Sequence, residues 1–156
     1  MKTTARWTIE PCDWEDPQGI ALRTSQRAEL DERYGCDDHE PGPVPAAENI
    51  SVFLVAVDAG GKALGCGALR EIDTASAEVK RMYVVPESRG SGLATAILAA
   101  LEAAARERGW TTLKLETGTA QPDAIRFYER EGYHSIPRFG YYVDCEISVC
   151  YEKALG

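Results

Sequence analysis

The stretch RMYVVPESRGSGLATAILAAL, residues 81–101, joins a strand pattern to a helix pattern. Its first five residues are rich in the β-branched and aromatic side chains that favour strands. Its last part predicts an amphipathic helix over 92–108, because apolar residues recur at intervals of three and four. They are Leu93, Ile97, Leu98 and Leu101. A glycine-rich loop, Arg89 to Gly92, therefore opens a helix directly after a strand.

This junction has the parts of an anion-binding site. The start of a helix presents free backbone N–H groups and a partial positive charge. Gly90 and Gly92 let the main chain approach a phosphate closely, and Arg89 adds a full charge on a planar donor fork. A plain strand-to-helix turn would use the same residues, so the junction alone leaves both interpretations open.

Two familiar phosphate loops do not fit the junction. A Walker loop needs a lysine after its last glycine, and none follows Gly92. The dinucleotide fingerprint fails because Thr95 replaces its third glycine and hairpins precede it. Glu116 lies at about the distance of that fingerprint's ribose contact, but with the fingerprint rejected we interpret it as a strand-end residue.

The remaining patterns predict one α/β (α+β) domain over residues 1–156 with a mixed sheet, since no repeat or linker divides the chain. A helix is predicted over 18–34, a proline-rich loop follows it, and a hairpin turns at Asp58–Gly61. Further strands are predicted over 6–12, 77–85, 111–117 and 145–155, and a second late helix within 121–132.

Charge and composition exclude several classes of protein. The net charge of −8 argues against a nucleic-acid partner. Residues 10–40 hold ten acidic residues and three arginines, which accounts for seven of those charges. Such a run attracts a cationic substrate or simply forms a solvated face, and the sequence leaves both interpretations open.

Targeting and metal signals are also missing from the sequence. No apolar stretch is long enough for a membrane span, and the N-terminus lacks an apolar signal core, so we expect a cytoplasmic protein without a membrane partner. Five cysteines without a C-x-x-C pair indicate reduced thiols and no structural metal.

Three motifs together resemble the GCN5-related N-acetyltransferase (GNAT) superfamily. Arg-Gly-Ser-Gly-Leu-Ala at 89–94 is similar to its pyrophosphate loop, KRMYVVPE at 80–87 to its central splayed strand, and QPDAIRFYEREGY at 121–133 to its second motif. The resemblance covers roughly 52–135 in order and spacing. It implies a mostly antiparallel mixed sheet of six to seven strands with about four helices, an acetyl-CoA-binding core over 52–135, and an acceptor-site portion over 1–50.

The resemblance also implies binding residues for acetyl-CoA. The loop residues Arg89, Gly90, Ser91, Gly92, Leu93, Ala94 and Thr95 would hold the diphosphate. Val84 would meet the pantetheine arm through its backbone, and a strand amide near Met82 or Tyr83 would bind the carbonyl oxygen. Gln121 stands where the family has asparagine, which leaves that coenzyme contact open.

Two catalytic residues are implied in the same way. Tyr128 occupies the position of the family's acid, which protonates the departing sulfur; otherwise it is a core aromatic. Glu78 lies four residues before Met82, where one branch of the family has its base; otherwise it is a solvent-facing residue paired with Lys80 or Arg70. A water relay would be a third route for the proton.

The resemblance thus predicts an N-acetyltransferase that moves an acetyl group from acetyl-CoA to a primary amine by direct attack, without a metal. The acceptor would be a small molecule or an exposed amino group, and the enzyme a monomer or homodimer. The acidic run suggests a positively charged acceptor. A non-catalytic acyl-CoA-binding or sensing module, or an interaction domain whose loop is only a turn, stays open as an alternative.

Overall fold

The computed structural model of the chain describes residues 6–36 and 40–156, so Asp37, Asp38 and His39 of the predicted loop lie outside it. The described ranges form seven strands and three α-helices. The strands are β1 Thr8–Pro11, β2 Val52–Val57, β3 Ala63–Glu71, β4 Ser76–Val84, β5 Thr112–Gly118, β6 His134–Ile136 and β7 Ser148–Ala154. The helices are α1 Pro17–Tyr34, α2 Leu93–Glu107 and α3 Pro122–Arg130. The predicted fold class is confirmed, with one helix fewer than expected.

The strands form one mixed sheet in the order β1-β2-β3-β4-β5-β7-β6. The predicted hairpin joins β2 to β3, and β3 pairs antiparallel with β4 as expected. Among the described strands only β4 and β5 are parallel neighbours. Two details differ from the prediction. The last strand begins at Ser148, and the three-residue edge strand β6 was not foreseen because so short a segment shows no alternation.

Helix α1 begins at a side-chain cap followed by a proline. Asp16 caps α1 by accepting a 3.0 Å hydrogen bond from the backbone N–H of Gln18, and Pro17 occupies the first helical turn.

The apolar stripe of α2 is fully buried against the sheet, and each of its large side chains contributes roughly 2 kcal/mol to the free energy of unfolding. These side chains are Leu93, Ile97, Leu98 and Leu101.

The core lies in two layers, one on each face of the sheet. The larger layer packs α2 and α3 against apolar residues such as Leu69, Val79 and Leu113. The smaller layer lies under α1 and includes Trp14 and Phe53. Within the described ranges, no helix has both the length and the apolarity to cross a bilayer. The two layers leave the ends of the central strands between α1 and α3.

Candidate active site

The two parallel strands at the centre of the sheet separate at their carboxyl ends. β4 and β5 pair from Ser76 opposite Thr112 to Val79 opposite Leu115, and no pairing follows. Beyond that point the carbonyl of Met82 accepts a 2.8 Å hydrogen bond from Nε2 of Gln26, a residue of α1. Backbone groups of β4 therefore face a gap at the carboxyl ends of parallel strands, which is where ligands bind in open α/β sheets.

A β-bulge in β4 marks the beginning of this separation. Cys66 pairs with Tyr83 and Ala68 pairs with Lys80, so two residues of β4 lie opposite one residue of β3. Arg81, inside the bulge, has a positive φ of 56°. A bulge bends its strand and increases its twist, which accounts for the departure of β4 from β5. Strained backbone of this kind often occurs at functional sites.

The glycine loop after β4 has the conformation that an anion site requires. Gly90 and Gly92 have φ values of 76° and 90°, a region that favours glycine. An added Cβ at either position would meet no atom within 4 Å, so both backbones lie open. No side chain caps the first turn of α2. Its N–H groups are therefore available to an anion.

A cavity of about 360 Å³, here called the loop cavity, extends from this loop to β4 and α3. Nearly all the residues predicted to bind the coenzyme line it. They are Met82, Tyr83, Val84, Arg89, Gly90, Gly92, Leu93, Ala94, Thr95, Gln121 and Tyr128. Ser91 is the exception among the predicted set, because its hydroxyl turns back to donate a 2.5 Å hydrogen bond to the carbonyl of Ser88.

Arg89 lines the loop cavity, and two hydrogen bonds hold its side chain. Its Nε donates to the carbonyl of Val84 at 2.9 Å, and its Nη2 donates to Oε1 of Glu29 at 2.7 Å. A carboxylate of α1 thus occupies one edge of the guanidinium that was predicted to meet a phosphate.

A second cavity, of about 700 Å³, lies between α1 and the ends of β4 and β5 and is called the strand-end cavity. Met82, Gln121 and Tyr128 line both cavities, so the two meet at the gap between the strands. Gln121, the substitute for the family's asparagine, donates from Nε2 to the hydroxyl of Tyr34 at 3.2 Å. A long ligand entering by the glycine loop would reach the strand-end cavity at this junction.

Tyr128, the predicted acid, lines both cavities. Its side chain is buried and packs edge-on against Phe127 and Tyr133. Burial raises the pKa of the Tyr128 phenol far above its usual range. The phenol therefore keeps its proton at neutral pH, and a proton donor needs that state.

Glu78, the predicted base, does not line either cavity. It is 1% exposed, and both oxygens are engaged: Arg70 donates to Oε1, and the Tyr142 hydroxyl donates to Oε2 at 2.5 Å. Lys80 adds a positive charge 3.7 Å from Oε2. This placement argues against the predicted base role. The alternative interpretation was correct about pairing with Arg70 and Lys80 but wrong about solvent exposure.

Glu116 is the carboxyl group of β5 that lines the strand-end cavity, and it was predicted to be only a strand-end residue. The hydroxyl of Ser148 donates a 2.7 Å hydrogen bond to Oε2. Burial raises the pKa of Glu116 to about 7, although the hydrogen bond from Ser148 and the charge of Lys80 act in the opposite direction. A carboxyl group poised near neutral pH beside a cavity is a candidate base. Its sequence signal was its position at the carboxyl end of the strand that follows the glycine loop.

Two carboxylates of the acidic run, Asp31 and Glu40, line the strand-end cavity among the residues that the structure describes. Glu40 accepts hydrogen bonds of 2.9 Å from Lys80 and from Arg81. Burial by itself would raise the pKa of Glu40, but the hydrogen bond from Arg81 and the two charges outweigh it and lower the pKa to about 2. Asp31 lies 3.4 Å from Arg27. Both of these carboxylates are thus paired with cations.

No group of three or more metal-ligating side chains occurs in residues 6–36 or 40–156. The five cysteines are free thiols. The two cavities bring together the uncapped start of α2, the phenol of Tyr128 and the carboxyl group of Glu116, whose pKa is about 7. These groups lie along the gap between β4 and β5.

Comparisons with known proteins agree with this architecture. The sequence profile of the Acetyltransferase (GNAT) family matches residues 10–133. The chain is 40% identical over 105 residues to the "IAA acetyltransferase" of Azospirillum brasilense, covering 66% of this chain and 67% of that protein.

Solved structures superpose over almost the whole chain. A Klebsiella pneumoniae protein described as an acyl-CoA N-acyltransferase superposes with a TM-score of 0.82 at 35% identity, over 96% of this chain and 98% of that one. A GNAT family acetyltransferase from Elizabethkingia anophelis with acetyl-CoA bound shares the fold, with a TM-score of 0.70 at 16% identity over 97% and 99% of the two chains. The chain therefore belongs to the acetyltransferase (GNAT) family and is an acetyl-CoA-dependent acyltransferase.

Proposed function

We propose that the chain transfers the acetyl group of acetyl-CoA to a primary amine by direct attack, with Glu116 as the base and Tyr128 as the acid. The observation that carries this proposal is that both side chains line the strand-end cavity, whose junction with the loop cavity is also lined by Tyr128. The coenzyme would enter by the loop cavity and the amine by the strand-end cavity.

The groups that line the loop cavity support this path for the coenzyme. The uncapped start of α2, the open backbones of Gly90 and Gly92, and the guanidinium of Arg89 provide donors for a diphosphate. Acetyl-CoA supplies an activated thioester. The end of β4 at Met82 and Tyr83, which does not pair with β5, would supply backbone groups to the arm and to the carbonyl oxygen.

Glu116 fits the role of base better than Glu78 because it lines the cavity and has a pKa of about 7. Its carboxylate would take a proton from the attacking amine. Tyr128 would give its phenolic proton to the departing sulfur, so that one proton is taken up and one released within the site. Positioned acid and base groups of this kind contribute about 10²- to 10⁴-fold to the rate.

The test is a panel of primary amines with acetyl-CoA as donor, following the release of free CoA. We expect transfer to at least one amine, and we expect Glu116→Gln and Tyr128→Phe each to lower kcat by about 100-fold. Acetyl-CoA binding, measured by calorimetry, should change by less than about threefold in Glu116→Gln.

Tyr151→Phe is the control for loss of a phenol, because that hydroxyl binds Glu129 and lines neither cavity. It should retain the wild-type rate. A chain that binds acetyl-CoA tightly but releases no CoA against the whole panel would be an acyl-CoA-binding module, and the proposal would fail. Full activity of Tyr128→Phe across the pH range would remove the acid role alone.

A further inference from the structure

The cations that line the strand-end cavity differ in whether they are paired. Arg81 and Lys80 bind Glu40, each at 2.9 Å, and Arg27 lies 3.4 Å from Asp31. Arg23 also lines the cavity, from the second turn of α1. Its side chain has no hydrogen bond and no ion pair to any residue of the ranges 6–36 and 40–156. One cationic side chain of the cavity wall is therefore left without an anion in this part of the chain.

The position of Arg23 is fixed although it has no polar partner. Its guanidinium stacks over the ring of Trp14, 3.6 Å from the centroid, and lies 5.1 Å from that of Phe53. Stacking holds a planar guanidinium while leaving its N–H edges free for hydrogen bonds. One of its nitrogens, Nη1, is buried without a hydrogen-bond partner.

An unpaired, partly desolvated charge is costly, which indicates a missing counter-ion. Burial lowers the pKa of Arg23, and the charge of Arg81 acts in the same direction, while Glu15 is a carboxylate that opposes it through space. Buried polar groups without partners are uncommon in folded proteins, so each one calls for a ligand or a partner.

A second unpartnered atom lies one helical turn further along α1. Gln26 lines both cavities, and its Oε1 is buried without a hydrogen-bond partner while its Nε2 binds the carbonyl of Met82. Residues three apart share a helix face, so Arg23 and Gln26 lie on the same wall of the strand-end cavity, while the two unpartnered atoms themselves are enclosed by the protein. The guanidinium of Arg23, which lines this cavity without an ion pair to a described residue, makes the wall suit a ligand that carries an anionic group.

We propose that the acceptor amine carries an anionic group, a carboxylate, sulfonate or phosphate, and that Arg23 binds this group as the specificity-determining residue. The proposal rests on the proposed function, since it names the class of acceptor for the same transfer. It replaces the positively charged acceptor that the acidic run suggested, because the carboxylates of that run at the cavity are already paired with cations.

The test compares amines that carry an anionic group, called acidic probes, with amines that lack one, called neutral. β-Alanine, taurine and phosphoethanolamine are the acidic probes, and 1-propylamine and ethanolamine the neutral ones. Since a hydrogen-bonded charge pair contributes about 1.5 to 3 kcal/mol, we expect kcat/KM to be about 10- to 100-fold higher for at least one acidic probe.

Arg23→Gln should raise KM for that acidic probe by a similar factor of about 10 to 100 while kcat falls less than about threefold. KM for the neutral amines should stay within about twofold. Arg23→Lys should recover only part of the affinity, because a lysine keeps the charge but loses the planar fork. Arg108→Gln is the matched control. That arginine also lies over a tryptophan, Trp110, at 5.8 Å, but lines neither cavity.

Calorimetric titration of the acidic probe into the CoA-saturated chain gives a readout that needs no turnover. Equal transfer to neutral and acidic amines, or an Arg23→Gln variant that weakens both alike, would overturn this inference and leave the proposed transfer standing. Arg23-dependent binding of an acidic probe, with no CoA release from acetyl-CoA, would support this inference and overturn the proposed transfer. No CoA release with any amine, acidic or neutral, together with no binding of any acidic probe would overturn both.

Discussion

The carboxylate of Glu29 in α1 lies 2.7 Å from Nη2 of Arg89, the arginine that begins the glycine loop. Both side chains line the loop cavity. The guanidinium is thus held, before any ligand binds, by an anion of the protein itself. A diphosphate that approaches the loop meets a positive charge that is already partly neutralised and a carboxylate that repels it.

Glu29→Gln should therefore strengthen acetyl-CoA binding. Removing the carboxylate frees one edge of Arg89 and removes a like charge, and since the pair is partly exposed we expect a modest decrease in Kd of about two- to fivefold. Calorimetry at low and moderate salt would measure it, and the gain should shrink as salt screens the site. Weaker binding in Glu29→Gln would instead mean that Glu29 serves to position Arg89.

Gly92→Ala should weaken acetyl-CoA binding by about tenfold, because a methyl group would project into the cradle at the start of α2. Gly109→Ala is the matched control. Gly109 has a φ of 85°, against 90° for Gly92, and an added Cβ at either glycine would meet no atom within 4 Å. Gly109 lines neither cavity. Both variants should lose about 1 to 2 kcal/mol of stability from the strained backbone. An equal effect of the two variants on binding would mean that the cradle has no part in holding the coenzyme.

The rate at saturating substrates should depend on the ionisation of Glu116. A base works in its deprotonated form, so kcat should rise about tenfold per pH unit below pH 7 and level off above it. Ser148→Ala removes a hydrogen bond that lowers this pKa, so the midpoint should move to higher pH with little change in the plateau.

Ser135→Ala, an exposed serine of β6, should leave the profile of kcat against pH unchanged. A midpoint that stays in place or moves to lower pH in Ser148→Ala would show that Glu116 does not control the rate.

Glu78→Gln should affect stability far more than catalysis. The change leaves Arg70 without its buried counter-charge and removes one of the two carboxylates beside Lys80, and breaking a buried pair of this kind costs about 3 kcal/mol. We expect the free energy of unfolding in urea to fall by that amount, while kcat of the folded enzyme stays within about threefold. Glu71→Gln, on the exposed end of β3, should change neither quantity. Intact stability with a loss of about 100-fold in kcat would restore Glu78 as the base.

Much of the fold was predictable because its signals are local. The apolar stripe of α2, the hairpin turn at Asp58–Gly61 and the loop at Arg89–Gly92 each rest on neighbouring residues, and each formed as expected. The edge strand β6 escaped prediction because three residues cannot display alternation, and its position depends on pairing with β7.

The sequence by itself determined that a positively charged, glycine-lined helix start follows a central strand, since glycine's freedom at positive φ and the free N–H groups of a helix are properties of the local chain. Only the tertiary structure decided which carboxyl group faces the cavity. Alternation along β4 cannot reveal that Tyr142, 64 residues away, covers Glu78. Nor can the order of residues reveal that Glu116 stays beside the gap, or that Arg23 stacks on Trp14 with no anion of the described chain to pair with it. Burial and pairing between distant segments set these charges, and those are properties of packing.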